Sequence, residues 1–196
     1  MASLPERRPI LRGDLVYLRA PERTDVATFV RWFNDADVLH NLAMSAPMGE
    51  AAENIWFDRM LERQGSTDFH FVICLLADDR AIGTTGLHGI DHVNGSAEFG
   101  IAIGETDEWD KGYGTDALRA ICDFGFGELR LERISLLVYA GNARGRRAYE
   151  KAGFTFEGTL RHAHFARGQH EDVHVMSLLR GEWQGLANRR ANDGGG

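Results

Sequence analysis

The sequence predicts an α/β fold with a mixed, twisted central sheet of about seven strands, flanked by about four helices. Two observations support this class. Apolar and polar residues alternate over 69–75, which is typical of a strand. After residue 97 the pattern changes to strand, helix, strand, helix, because apolar residues recur at helical spacing over 115–129 and 143–152. The length of 196 residues suits one domain, which we expect over 10–186 between flexible termini at 1–9 and 187–196.

Each element is predicted from its own periodicity and from the turn residues around it. Asp78 and Asp79 make a turn between two antiparallel strands, and the A-R-G-Q segment closes the last antiparallel pair. In chain order, the predicted elements are a strand at 15–17, helices at 26–33 and 51–64, strands at 69–75, 81–87 and 97–104, a helix at 115–129, a strand at 134–139, a helix at 143–152, and strands at 154–165 and 170–179.

Composition excludes some classes of function. The formal net charge of -7 argues against a general nucleic-acid surface and suits a cationic partner or a small substrate. No apolar run is long enough to cross a bilayer, and the N-terminal segment lacks the apolar core of a secretory signal. Cys74 and Cys122 form no spacing motif. We therefore expect a cytoplasmic protein.

The segment W-D-K-G-Y-G-T-D, residues 109–116, places two glycines at the start of a predicted helix. Free main-chain N–H groups and the positive end of the helix dipole meet at such a start, and glycine lets a ligand approach them closely. The natural ligand is a phosphate or diphosphate. A tight turn without a ligand is the alternative, and the segment matches neither a P-loop nor a complete G-x-G-x-x-G.

A second segment, N-A-R-G-R-R-A-Y-E-K-A-G-F, follows the strand at 134–139. Asn142 is a good helix N-cap, and Tyr149 lies seven residues further on, so that both residues are on nearly the same helix face. The two side chains can therefore face one cleft. Taken alone, a tyrosine at position 149 is more often a half-buried packing aromatic than a catalytic acid.

Together the two segments, about thirty residues apart, resemble the GNAT superfamily of N-acetyltransferases. The resemblance is greatest to its ribosomal-protein N-terminal and spermidine acetyltransferases. It extends to W-F-N-D-A-D-V near Trp32, to S-A-E-F-G-I-A-I-G at 96–104, and to the ending G-Q-H-E-D-V-H-V-M-S-L-L. It implies transfer of acetyl from acetyl-CoA to a primary amine by direct attack, a splay between the two central strands, no metal, and a homodimer.

The resemblance also implies roles for individual residues. Tyr149 would protonate the leaving sulfur, Glu98 would be the base, and a main-chain N–H near Ile101 would polarise the carbonyl. The residues that it assigns to acetyl-CoA are Ile101, Ala102, Ile103, Trp109, Asp110, Lys111, Gly112, Tyr113, Gly114, Thr115, Asn142, Arg144 and Arg147.

The glycine loop departs from the family pattern at its start. Trp109 stands where members usually have Gln or Arg, and Asp110 where they often have Gly. Glu105, Asp107 and Glu108 add negative charge near the expected diphosphate. The cations in the sequence that can offset this charge are Lys111, Arg144, Arg146 and Arg147.

Residues of the acceptor side are less determined. Asp35 and Asp37 lie in a segment that borders the acceptor in this family, where they either recognise a cationic amine or cap a helix. His162 and His164 would point to one side of a strand edge that faces solvent or the acceptor. His88 and His162 are further candidates for contact with substrate. A protein N-terminus, a polyamine and an aminoglycoside-like compound all stay open as acceptors.

Two other functional classes compete with this interpretation. H-E-D-V-H at 170–174 matches a zinc motif on a helix, but Val173 and Val175 favour a strand, where positions four apart are about 13 Å from each other. A regulator that binds CoA without turnover is the other alternative, which the departures at Trp109 and Asp110 favour and which intact Asn142 and Tyr149 oppose.

Overall fold

The computed structural model describes residues 11–40, 42 and 46–183. The terminal segments for which we predict flexibility, 1–9 and 187–196, lie outside them, and the single domain at 10–186 stays a prediction. Within the described residues no helix is both long and apolar enough to cross a bilayer. The cytoplasmic location likewise stays a prediction.

The described chain forms eight strands and five α-helices. The strands are β1 (Leu11–Arg12), β2 (Val16–Arg19), β3 (Phe69–Leu75), β4 (Ala81–Asp91), β5 (Ser96–Ile103), β6 (Arg133–Tyr139), β7 (Thr155–Ala166) and β8 (Gln169–Leu179). The helices are α1 (Val26–Trp32), α2 (Ala36–Leu39), α3 (Glu50–Arg63), α4 (Tyr113–Gly127) and α5 (Ala143–Lys151), with short 3-10 turns at Arg23–Asp25, Thr106–Glu108 and Arg180–Glu182.

All eight strands belong to one sheet in the order β1-β2-β3-β4-β5-β6-β8-β7. The β5–β6 pair is parallel and the other described pairs are antiparallel, which confirms the predicted mixed α/β sheet. The numbers of strands and helices exceed the predicted numbers of about seven and four because two elements are too short to show a periodic pattern in the sequence. These are β1, which is two residues long, and α2, which is four residues long.

The two central strands separate along their length. The ladder between β5 and β6 runs from Ser96 opposite Arg133 to Glu98 opposite Ser135, although the strands continue to Ile103 and Tyr139. The predicted splay is therefore confirmed. Beyond Glu98, the main-chain groups of β5 that face β6 have no partner strand among the described residues, and the sheet is open there.

The sheet has helices on both faces. On one face α4 and α5 pack over the main core, in which Phe99, Leu118 and Leu136 are buried. On the other face α1 packs Phe29 and Trp32 against β3. Because side chains alternate along a strand, Glu98, Leu137 and Tyr139 lie on the face opposite α4 and α5. The splay thus connects two differently built surfaces.

The first turn of α4 is anchored by a buried carboxylate. Asp116 accepts hydrogen bonds from the main-chain N–H groups of Asp14, Leu15 and Val16 at 3.0, 2.8 and 3.0 Å. A Cβ on Gly13 would lie 2.1 Å from this carboxylate, so glycine is required for the close approach. The N-terminus of α4 is in this way fixed to the edge of β2.

Candidate functional site

A cleft of about 660 Å³ passes through the splay between β5 and β6. It brings together most of the predicted site residues, which are Glu98, Ile101, Ala102, Ile103, Trp109, Asp110, Gly112, Tyr113, Gly114, Thr115, Asn142, Arg144, Arg147 and Tyr149. Five predicted residues do not line it, namely Lys111, Asp35, Asp37, His88 and His162.

One side of the cleft, which we call the glycine-loop half, consists of the cleft-lining residues of 109–115 and of 142–149. Gly112 is the N-cap of α4 and has φ 87°, and Asp110 also has a left-handed backbone with φ 62°. No side chain caps the helix, so its first N–H groups are available to a ligand. Left-handed residues beside a helix N-terminus form a concave array of donors that suits an anion.

The surface of this loop is open enough for a ligand to contact the main chain. A Cβ built on Gly114 would meet only the side chains of Ile101 and Ile103, both at 3.9 Å, and one on Gly112 only Leu15 at 3.8 Å. The glycines are therefore not required by packing inside the protein at these two points. The geometry fits close approach of a phosphate group to the backbone.

Two negative charges of the preceding segment, Glu105 and Glu108, are paired within the protein. Glu108 is buried and contacts both Lys111 and Arg80. Lys111 and then Arg80 hold the pKa of Glu108 below its usual range. Glu105 contacts Arg31 and accepts a hydrogen bond from the indole of Trp32, which likewise lower its pKa. Lys111 is thus a partner of Glu108 and lies outside the cleft lining.

The arginines of α5 divide into two groups. Arg144 and Arg147 line the cleft. The guanidinium carbon of Arg144 lies 3.8 Å from the ring centre of Trp109, whose Nε1–H donates to the carbonyl of Ile103 at 2.9 Å. Arg146 is not among the lining residues. It pairs with Glu150 and lies over the ring of Phe156.

Asn142 and Tyr149 lie near opposite ends of α5. Asn142 is the N-cap of α5, as predicted, and its Oδ1 accepts from the Gly145 N–H at 2.8 Å. Tyr149 packs edge-on to Phe99, with ring centres 6.2 Å apart. Burial raises the pKa of Tyr149 to about 12, so the hydroxyl keeps its proton at neutral pH.

The other side of the cleft, which we call the strand half, lies on the opposite face of the sheet. It is formed by Val38, Leu42, Glu98, Leu137, Tyr139, Leu160, Ala163, His164 and Val173. Leu137 and Leu160 are 48% and 47% exposed, and the ring of Tyr139 stacks on that of His164 at 3.9 Å. Among these lining residues Glu98 is the single carboxylate. This half is otherwise apolar and aromatic.

The sequence did not identify most of the strand half as a site. Its members come from β5, β6, β7, β8 and the region of α2, and no motif joins them. Strand alternation was the one usable signal, because it places Leu137 and Tyr139 on the same face as Glu98. The strand order needed to add Leu160 and Val173 was not available from the sequence.

One of the two aspartates predicted at the acceptor side has a local structural role. Asp35 is the N-cap of α2 and accepts from the N–H groups of Asp37 and Val38. Capping, one of the two alternatives for this segment, is thus observed for Asp35. Asp37 is exposed in the first turn of the same helix.

The histidines also depart from expectation. His88 lies on β4 opposite Glu98, and burial lowers its pKa. The prediction that His162 and His164 point the same way is wrong. An irregularity between Leu160 and His164 gives His162 a left-handed backbone with φ 52°, and its ring stacks on His170 rather than facing the cleft.

The H-E-D-V-H segment lies within β8, which confirms the predicted strand. The register pairs its two histidines with different neighbours, His170 with Phe165 and His174 with Thr159. Across the part of the chain that the structure describes, no three potential metal ligands converge.

The sequence and the fold are both similar to those of known N-acetyltransferases. The family described as "Acetyltransferase (GNAT) domain" matches residues 16–155. An uncharacterized N-acetyltransferase, p20, of Bacillus licheniformis is 31% identical over 86% of this chain and 94% of its own length. A putative ribosomal N-acetyltransferase of Bacillus subtilis is 38% identical over 57% of this chain and 60% of its own. The crystal structure of spermidine N-acetyltransferase from Vibrio cholerae with CoA and spermine has a TM-score of 0.79 at 25% identity, covering 85% of this chain and 96% of that one.

Proposed function

The chain belongs to the GNAT family of acetyltransferases and transfers acetyl from acetyl-CoA to an amine, and we propose that this transfer takes place at the splay between β5 and β6. One observation carries the proposal. A half built to bind phosphate through the main chain meets, through the gap in the sheet, a half with a single carboxylate. Tyr149 stands on the helix that borders the gap.

In the proposed site, acetyl-CoA is held in the glycine-loop half. The N–H groups of Tyr113, Gly114 and Thr115 face its diphosphate at the start of α4. The edge of β5 at 101–103 and Asn142 contact its pantetheine arm, in the place of a missing strand. Arg144 and Arg147 supply positive charge where Lys111 does not.

The chain's own residues divide the chemistry among them. Acetyl-CoA supplies a thioester that is already reactive toward amines. Glu98 removes the proton that an amine carries at neutral pH, and a free N–H on the open edge of β5, at Ile101, donates to the developing oxyanion. Tyr149 donates its proton to the departing sulfur as the carbon–sulfur bond breaks, a role for which its raised pKa keeps it protonated. The attacking nitrogen loses its second proton to solvent, and solvent returns a proton to Tyr149. No covalent enzyme intermediate is required.

The acceptor is proposed to be a primary amine next to an apolar group, such as the amino terminus of a polypeptide. Leu137, Leu160 and Val173 offer an apolar wall beside Glu98. A polyamine carries several positive charges, and we expect a site with several carboxylates to bind it more tightly than a site with one. Asp35 and Asp37, the other candidates for that task, do not line the cleft.

A panel of amines tests the function directly. We expect release of free CoA with short peptides that begin with an apolar residue, and slower release with spermidine and with an aminoglycoside. Faster release with spermidine would contradict the proposed acceptor but not the proposed chemistry. Binding of acetyl-CoA without CoA release from any amine would instead support a regulator without turnover.

We also propose that the protein is a homodimer. β7 is twelve residues long, forms one edge of the described sheet, and leaves Phe156 and Phe165 exposed. A long apolar edge of this kind is usually covered. Light scattering should give twice 21.8 kDa, and Phe165→Glu should shift the population toward the monomer. A single 21.8 kDa species for the unmodified protein would contradict the dimer.

A further inference from the structure

The contact between Trp109 and Arg144 joins two elements that are distant in the chain. Trp109 precedes the glycine loop, and Arg144 lies in the first turn of α5. The guanidinium carbon is 3.8 Å from the ring centre, which is close for a cation–π contact. The indole is itself fixed, because its Nε1–H donates to the Ile103 carbonyl at the end of β5. The ring is therefore a rigid platform under the guanidinium.

The surrounding charges leave few cations free to meet a ligand in the glycine-loop half. Arg80 and Lys111 are held by buried Glu108, and Arg31 is held by Glu105. The cationic side chains of α5 that line the cleft are Arg144, Arg147 and Lys151. Of these three, Arg144 is the one whose guanidinium lies over an aromatic ring, that of Trp109. Stacking leaves the N–H groups in the guanidinium plane available to other acceptors.

We propose that Trp109 is a positioning residue that holds Arg144 at the glycine loop, where its guanidinium binds a phosphate of the acyl donor. The inference rests on the proposed function, since it assumes that acetyl-CoA lies in this half. Arginine suits the task because its planar fork matches phosphate oxygens and its charge is permanent. An aromatic residue at the start of the loop thus provides a cation from α5 in place of a cation of its own.

The experiment compares three acyl donors, each with the unmodified protein, Trp109→Ala, Arg144→Ala and the double variant. The donors are acetyl-CoA, acetyl-dephospho-CoA, which lacks the 3′-phosphate, and S-acetylpantetheine, which lacks every phosphate. We expect each single variant to raise the KM for acetyl-CoA about tenfold with little change in kcat, which is the order of one lost charge-assisted contact. The double variant should be no worse than the single ones, because both remove the same contact.

The phosphate-free donor is the decisive arm. With S-acetylpantetheine the variants and the unmodified protein should have the same KM. A persisting effect with acetyl-dephospho-CoA assigns Arg144 to the diphosphate, and its loss assigns Arg144 to the 3′-phosphate, and both results support the proposal. An equal effect with all three donors would overturn it, as would a normal KM for Arg144→Ala.

Matched variants separate positioning from general damage. Trp109→Phe keeps a stacking ring and should stay within about threefold of the unmodified KM. If it behaves like Trp109→Ala, the indole hydrogen bond and not the stack is responsible, and the proposal fails. Arg146→Ala is the matched control on the same helix. The guanidinium of Arg146 also lies over a ring, 5.6 Å from the ring centre of Phe156, but it is outside the cleft. This variant should leave the KM unchanged.

Calorimetric titration with acetyl-CoA keeps the two proposals distinguishable. Weaker binding by Arg144→Ala without turnover of any amine would support the contact and contradict the enzyme. If Trp109→Ala does not fold, Arg144→Ala and Arg144→Lys carry the test, since lysine keeps the charge but not the planar stack.

Discussion

The two halves of the cleft are built from different parts of the polypeptide. The glycine-loop half uses main-chain N–H groups at the start of α4 and residues from two continuous segments, 109–115 and 142–149. The strand half uses side chains from β5, β6, β7 and β8, together with Val38 and Leu42. In the proposed function, the glycine-loop half binds the phosphate groups of the donor, and the strand half contacts the acceptor.

This difference suggests how donor and acceptor recognition are separated. Main-chain donors and a helix terminus do not depend on which side chains surround them, so a phosphate site can persist while the acceptor changes. The strand half contributes one carboxylate and an apolar wall, and its lining residues lie outside the glycine loop. Substitutions in the two halves should therefore affect different kinetic constants.

The largest effect is expected from Gly114→Asp in the glycine-loop half. The new side chain would lie beside Ile101 and Ile103 and place a negative charge where we propose that the diphosphate binds. The Kd for acetyl-CoA in calorimetry should rise by at least about 10²-fold while the protein stays folded. Gly112→Asp should behave alike, but its φ of 87° adds backbone strain that complicates the result.

The same substitution at the other end of α4 provides the control. Gly127 has no neighbouring atoms around a built Cβ, and it does not line the cleft. Gly127→Asp should leave the Kd unchanged. If folded Gly114→Asp binds acetyl-CoA with unaltered affinity, the glycine loop does not bind the donor, and the two halves do not differ in the way proposed.

The next effect concerns Tyr149, which borders the gap between the halves. Tyr149→Phe should lower kcat by about 10²-fold with little change in the Kd for acetyl-CoA, because it removes one proton donor and keeps the ring. Phenylalanine preserves packing against Phe99, so the loss reports the hydroxyl group. A normal rate in this variant would move the proton donor elsewhere, with solvent as the next candidate.

The pH dependence of the unmodified enzyme gives a related test. Burial raises the pKa of Tyr149 to about 12, so the proton that it donates is present below that pH and is lost only above it. Between about pH 7 and pH 10, the kcat of the unmodified enzyme should therefore show no fall caused by ionisation of Tyr149. Any alkaline fall in this range should remain in Tyr149→Phe. An alkaline limb at about pH 10 that disappears in the variant would show that the phenol titrates at its ordinary pKa.

The smallest effect is expected in the strand half. Leu160→Ser should raise the KM for a peptide acceptor by about tenfold and leave the KM for acetyl-CoA unchanged, since one apolar contact is lost on the acceptor side only. The control is Leu61→Ser, which should leave both KM values unchanged. Leu61 is 48% exposed, close to the 47% of Leu160, but it lies on α3 outside the cleft. A rise in the acetyl-CoA KM would mean that the halves are not separate.

The sequence by itself determined the α/β class, the order of the central elements and most of the glycine-loop half. The N-cap at Asn142, the glycines at 112 and 114 and the position of Tyr149 are local features, set by interactions within a few residues of the chain. Such features are legible in a sequence because backbone geometry and helix periodicity act over short distances.

Only the tertiary structure decided the charge balance of the loop and the composition of the strand half. Glu108 is neutralised by Arg80, and Arg144 is paired with Trp109, across 28 residues in the first case and between separate elements in the second. The register of β6 with β8, and of β8 with β7, brings Leu137, Leu160 and Val173 together, and an irregularity in β7 turns His162 away from His164. These arrangements depend on which surfaces pack together, and packing between distant segments has no short-range pattern in the sequence.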